Sequence, residues 1–232
     1  NDKLIYEGEY KDGKRNGKGK EYNDNDKLIF EGEYLNGYKK NGKEYDNNDN
    51  LIFEGEYSNG IRNGKGKEYN NKNKLFDGEY INGQKGKGTH FEYDNNGNLI
   101  FEGEYKDGQR WNGEGKEFDN YGDLIFEGKY KDGVRHGKGK YYYKGILIYD
   151  GYFFYGKRDK GKEYNLIGNL IYEGWYRNED RYGIGKEYDY NGKLIYDGNY
   201  RNGVRHGKGR EYDNKGNLIF EGRYSWGLKV NE

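Results

Sequence analysis

The chain has 232 residues with 41 basic and 41 acidic side chains, so it carries no net charge, and the attraction expected of a nucleic-acid binder is absent. Only 31% of residues are hydrophobic; 29 Tyr, 10 Phe and 3 Trp dominate them, and Ala is missing, so an interior must be built from rings, which favours strands over helices. The lack of Cys excludes disulfides, thiolate zinc sites and cysteine nucleophiles, and no apolar run approaches the roughly 20 residues of a membrane-spanning helix.

The first element sets a pattern. In "YEGEYKDGKRNGKGKEY", Tyr6 to Tyr22, an aromatic, an acid and a glycine lead to a second aromatic, a turn dipeptide, a basic residue and a Gly-x-Gly pair. With Gly8 as position zero, the frame returns at Gly32, Gly55, Gly78, Gly103, Gly128, Gly151, Gly174, Gly198 and Gly222, at spacings of 23 to 25 residues. Ten units therefore fill residues 1–232 as a single array, the last one truncated. Every unit has Tyr or Phe at −2 and +2, an acid at −1 and Lys or Arg at +7.

Positions +4 and +5 are usually Asn-Gly or Asp-Gly, from Asp12-Gly13 to Asn202-Gly203, the residues that suit a two-residue type I′ hairpin. Polar loops such as Asp94–Asn98 return the chain to the next unit. The predicted fold is all-β: an elongated, twisted single antiparallel sheet, a meander of tandem β-hairpins.

Some units depart from the frame. The second has a shortened return strand, Lys39–Tyr45, and the fifth gains Trp111. Tyr155-Gly156 replaces the usual turn of the seventh, and Glu179-Asp180 fills that of the eighth. The tenth stops after one strand and Trp226-Gly227, with Trp226 expected to cover the last exposed rings.

A hairpin with its turn at +4 and +5 predicts that +2 faces +7, zero faces +9 and −2 faces +11. The glycines then read as seats for rings, and the basic residue at +7 lies beside the +2 Tyr in cation–π reach. The other face becomes a charge ladder, with the acids at −1 and +1 opposite Lys at +10.

The first unit and "GKYKDGVRHGKGKYYY", Gly128 to Tyr143, resemble the MORN (membrane occupation and recognition nexus) repeat family, and the resemblance covers the chain in ten copies. It implies an open trough used as a binding scaffold, sometimes at membranes and sometimes attached to an enzyme. A cytoplasmic chain is the expectation, with association to a membrane or the cytoskeleton left open.

Catalysis finds little support. The Gly-x-Gly pairs lack the strand-to-helix junction that a phosphate loop needs. His136 and His206 share position +8 but lie three repeats apart, His90 is isolated, and the recurring carboxylate pairs face lysines, so neither a metal nor a cofactor is expected. The function expected is a non-enzymatic scaffold for a protein or peptide partner along the aromatic and basic face, with an adaptor for anionic phospholipids as the alternative and dimerisation through the repeat ends left open. Central units are the favoured contact points, at Tyr80, Tyr105, Arg110, Trp111, Tyr130 and Arg135, because Tyr and Arg are the residue types enriched at binding hot spots.

Overall fold

A computed structural model describes residues 3–230. The chain forms two compact units, the first running to Gly108 and the second starting at Gln109. Among the described residues the first holds nine strands, from Tyr6–Lys11 to Leu99–Lys106, the second holds eleven, from Gln109–Phe118 to Leu228–Val230, and neither contains a helix. Within each unit every strand pairs antiparallel with its neighbours in sequence, so the fold is the expected all-β meander of hairpins.

The turns form as their chemistry dictates. Asp12 and Gly13 both have left-handed φ, 50° and 72°, the requirement of a type I′ turn. In the eighth hairpin the turn is Asn178-Glu179, at φ 51° and 70°, and not Glu179-Asp180, because Arg177 pairs with Asp180 and leaves only those two residues between the strands. Among the described residues six of the turns also lean on the hairpin before them: the Gly37 N–H donates to the Arg15 carbonyl at 2.8 Å, and that of Gly83 to the Arg62 carbonyl at 2.9 Å.

The ladder corrects the expected register. Tyr10 faces Arg15 as predicted, but Gly8 faces Gly19, at +11, and Tyr6 faces Glu21, at +13. Two extra residues are looped out of the return strand, because Gly17 at +9 takes φ 86° and cannot continue the ladder on that side. The acid at −1 consequently faces Lys at +12, as Glu7 faces Lys20, while Glu9 at +1 turns into the bulge and accepts the Lys18 N–H at 3.0 Å. The second, fourth and seventh hairpins carry Asn41, Lys87 and Lys160 at +9 in place of glycine, and there the shift shrinks to one residue; the fifth, with its inserted Trp111, also lacks glycine at +9. The fourth return strand is further altered: His90 faces Phe76 on one side and Gly103 on the other.

The glycines at zero and +11 are the ring seats. A Cβ on Gly66 would stand 2.6 Å from Phe53 Cε2, and one on Gly55 would stand 2.6 Å from the Lys65 carbonyl oxygen. Rings at −2 lie flat over these positions and meet the +2 rings edge to face, with Phe53 and Tyr80 centroids 5.1 Å apart and Phe30 and Tyr57 5.7 Å apart. One such cluster fills the first unit from Tyr6 to Tyr80, and another fills the second from Phe126 to Tyr224. Trp226 joins neither. It sits in the last turn at φ 49°, exposed, with its ring 5.3 Å from His206, so it does not cover the terminal rings: the left-handed turn conformation directs it to the preceding hairpin instead.

Candidate interaction surface

The aromatic column is organised around an acid that the expected register left out. It is the middle residue of a recurring basic-Glu-Tyr triplet, at +13 in Glu21, Glu68, Glu187 and Glu211, where the hairpin has the two-residue bulge, and at +12 in Glu44 and Glu163, where it has the one-residue shift. At Glu68, Glu163, Glu187 and Glu211 this acid collects both the hydroxyl of the next hairpin's +2 Tyr and the cation of its +7 residue, and at Glu21 and Glu44 it collects the cation. Tyr200 donates to Glu187 at 2.8 Å and Arg205 Nε donates to the same carboxylate at 3.0 Å. The signal was visible in the sequence as a Glu two residues after the return-strand seat glycine in most units, with His90 and Tyr141 as exceptions, but its partners belong to the following unit.

The cation at +7 stacks on the −2 ring of its own hairpin, not on the +2 Tyr that it faces. Arg62 lies 4.1 Å from the Phe53 centroid, and Arg205 lies 4.4 Å from that of Tyr196. The +2 ring is already directed toward the preceding hairpin by its own hydroxyl bond, which leaves the −2 ring as the open face.

The sequence-selected residues divide along these lines. Tyr80 is closed into the first unit's core at 2% exposure, with its hydroxyl donating to Glu68 at 2.8 Å. Burial and then the bond to Glu68 raise its pKa above the ordinary phenol value. Tyr105 is half-buried against Phe101 and His90 and donates to Glu92. In the second unit Tyr130 and Arg135 converge on Glu117, at 2.5 Å from the hydroxyl and 2.7 Å from Arg135 Nε. Burial pushes the Glu117 pKa up, but bonds from Arg135 and Tyr130 outweigh it and hold the carboxyl below its ordinary value. Arg110 donates to the Lys116 carbonyl at 2.8 Å. The Trp111 ring packs over the next turn, 3.4 Å from where a Cβ on Gly133 would stand, so the inserted residue is used between hairpins.

Alternation along each strand sends the flanking charged residues to the opposite face. There the bare backbone of Gly19, Gly32 and Gly42 floors a groove of about 550 Å³ in the first unit. Glu7, Lys20, Glu31 and Lys43 form one wall; Lys18, Glu33 and Asn41 form the other. A second groove of about 460 Å³ repeats the arrangement over Gly42, Gly55 and Gly66. Lysines and glutamates of adjacent strands stand opposite one another, as Lys20 faces Glu31 and Lys18 faces Glu33, so each wall alternates in sign.

Comparison with known proteins gives one family. The MORN repeat model matches residues 6–27, 53–74, 101–120, 126–145 and 196–218. Comparison with curated proteins gives no match. The hairpins between the matched segments keep the glycine pairing, with Gly32 opposite Gly42 and Gly151 opposite Gly161. MORN repeats are a family of scaffolds and generally not catalysts. With its hairpins seated on paired glycines and five segments matching the family model, the chain belongs to the MORN repeat family.

Proposed function

We propose that the chain is a non-enzymatic repeat scaffold that binds a protein or peptide partner across its strands, on the face away from the rings. One contrast carries this reading. The polar groups of the aromatic column are mostly spent on one another, as with Tyr80 on Glu68 and Tyr130 and Arg135 on Glu117, and the two hydroxyls that find no partner among the described residues, those of Tyr34 and Tyr57, are buried. The opposite face presents bare glycine backbone between two charged walls, a concave surface that an extended segment can approach closely. An anionic phospholipid surface fits the first unit's groove less well, because the wall lysines there stand opposite glutamates and leave little surplus of positive charge.

A photo-crosslinking residue, p-benzoylphenylalanine, placed at Asn41 in the groove and separately at the exposed loop residue Tyr121, tests the reading in cells that express the chain. Protein adducts from position 41 and not from 121 are the expected result. Equal adducts from both positions overturn the groove, and no protein adduct from either overturns the scaffold reading.

A further inference from the structure

The row of residues at +1 changes character along the chain. In the first five units it is Glu without exception: Glu9, Glu33, Glu56, Glu79 and Glu104. In the last five it is Lys129, Tyr152, Trp175, Asn199 and Arg223. The acid has a structural task where it occurs, since Glu9 and Glu56 accept the N–H groups of Lys18 and Lys65 in the bulge at 3.0 and 3.1 Å. Asn199 keeps a bond in the bulge, its Nδ2 donating to the Lys208 carbonyl at 3.0 Å, but Lys129, Tyr152, Trp175 and Arg223 have no carboxylate to offer a bulge N–H, so their presence calls for another reason.

Register places the new residues beside those of the return strands. Tyr152 stands between Lys138 and Lys160, Lys160 pairs onward with Trp175, Ile184 pairs with Asn199, and Lys208 with Arg223. From Lys129 to Arg223 this row in the second unit contains no acid. Its apolar side chains are open to solvent, with Tyr152 55%, Trp175 43% and Ile184 65% exposed. Lys160 Nζ lies 4.9 Å over the Trp175 ring, which shows a cation and a ring sharing one surface. The row at −1 and +12 still alternates, Asp150 facing Lys162 and Asp197 facing Arg210, so only one wall of this face has become basic.

Resting on the scaffold reading above, we infer that this wall of the second unit takes an extended acidic peptide laid across the strands, with a carboxylate at every third residue and an apolar side chain where the row offers Ile184. The spacing supports it. Lys138, Lys160, Ile184 and Lys208 occupy alternate strands, so they recur at about 9.6 Å, twice the distance between neighbouring strands. An extended or polyproline-like chain advances about 3.1–3.3 Å per residue, so three residues cover one step. Carboxylates then meet Lys138, Lys160 and Lys208, the apolar residue meets Ile184, and the segments between them rest on Tyr152 and Trp175. One basic wall suits a peptide whose acids lie along one edge. A nucleic acid, charged at each nucleotide, would also meet Asp150, Glu173 and Asp197 on the other wall.

The test uses the full chain and fluorescein-labelled synthetic peptides read by anisotropy. The probe carries Asp at every third position, with Leu in the third of its four places, on a Pro and Ser background; the control has the same composition with its Asp residues contiguous. Tighter binding of the spaced probe by about tenfold, weakening with salt, and a further loss of about tenfold in Lys160→Glu and Lys208→Glu are expected. Trp175→Ala should also weaken it, and circular dichroism with thermal melting checks that these surface variants fold. Equal binding of the two peptides, unchanged binding by the folded variants, or tighter binding of an oligonucleotide or of phosphatidylserine vesicles overturns the inference. The Lys160→Glu, Lys208→Glu chain is also put through the Asn41 crosslinking experiment. Adducts that persist while the peptide probe fails overturn the acidic-peptide assignment and leave the scaffold reading standing.

Discussion

Glu179, in the turn of the eighth hairpin, holds Arg158 of the seventh: Oε2 accepts from Nε at 2.7 Å, Oε1 accepts from the Arg158 backbone N–H at 2.9 Å, and the Glu179 carbonyl accepts from an Nη at 3.0 Å. The pairing explains two irregularities together. Tyr141 replaces the acid that the sixth hairpin would otherwise supply to Arg158, and the turn that departs from Asn-Gly or Asp-Gly provides a substitute carboxylate. The other carboxylate near Arg158, Glu163, is 4.0 Å away.

Removing the substitute should therefore be felt. Glu179→Ala is expected to cost about 1 kcal/mol, a partly screened ion pair with its hydrogen bonds, measured by urea unfolding. Adding Tyr141→Glu in that background should recover part of the loss by restoring the acid of the other units. A double-mutant cycle with no coupling between the two positions would show that Glu179 does not replace the missing carboxylate.

Ring seats and loose glycines should respond differently. Gly66→Ala places a methyl 2.6 Å from the Phe53 ring and is expected to destabilise by about 1–3 kcal/mol. Gly86→Ala, where the nearest atoms are 3.1 and 3.6 Å away, should cost clearly less. Equal melting temperatures for the two variants would remove the seat from the account.

Stability should fall at both ends of the pH scale. Burial raises the Glu117 and Glu68 pKa values, but hydrogen bonds from Arg135 and Tyr130, and from Lys85 and Tyr80, leave both below the ordinary carboxylate value. A depressed folded pKa gives stability that is present above the unfolded value and lost as pH falls through the folded one, so acid unfolding should begin below about pH 4. At the other end, burial pushes Tyr196 and Tyr224 up to about 12 from 10.0. That contribution is complete below pH 10 and is lost as pH rises toward 12, which circular dichroism across an alkaline titration should record.

Position +8 offers a substitution toward stability. Asn63 Oδ1 accepts the N–H of Asn82 in the next turn at 3.1 Å, as Asn16 does for Asn36 at 3.3 Å. His136 occupies the same place beside Tyr155, and among the described residues its buried Nδ1 has no hydrogen-bond partner. His136→Asn should let the side chain accept the Tyr155 N–H and raise stability by about 0.5–1 kcal/mol in urea unfolding. A lower midpoint would indicate that contact between the imidazole and the Phe154 and Tyr155 rings outweighs the missing bond.

The hairpins were determined by the sequence itself, because their causes are local. Asp12-Gly13 sets a left-handed turn whatever surrounds it, alternation from Tyr6 to Tyr10 puts rings and glycine on one face, and recurrence of the frame requires neighbours to share their cores. The pairing of Tyr10 with Arg15 follows directly from that turn. Beyond it, only the tertiary structure decided. A glycine at +9 can stay in the ladder or loop out, and packing resolves the choice by bringing Gly8 against Gly19 beneath the Tyr6 ring. That two-residue slip delivers Glu21 to the rings, turns Glu9 into a bulge cap and sends Arg15 over Tyr6 at 4.3 Å. The partners of Glu187 and Arg158 lie in the following hairpin, so their contacts come into being only when the units stack, as does the basic row from Lys129 to Arg223. Turn preference is written into a dipeptide, whereas register and inter-hairpin charge pairing depend on the combined packing of strands distant in sequence.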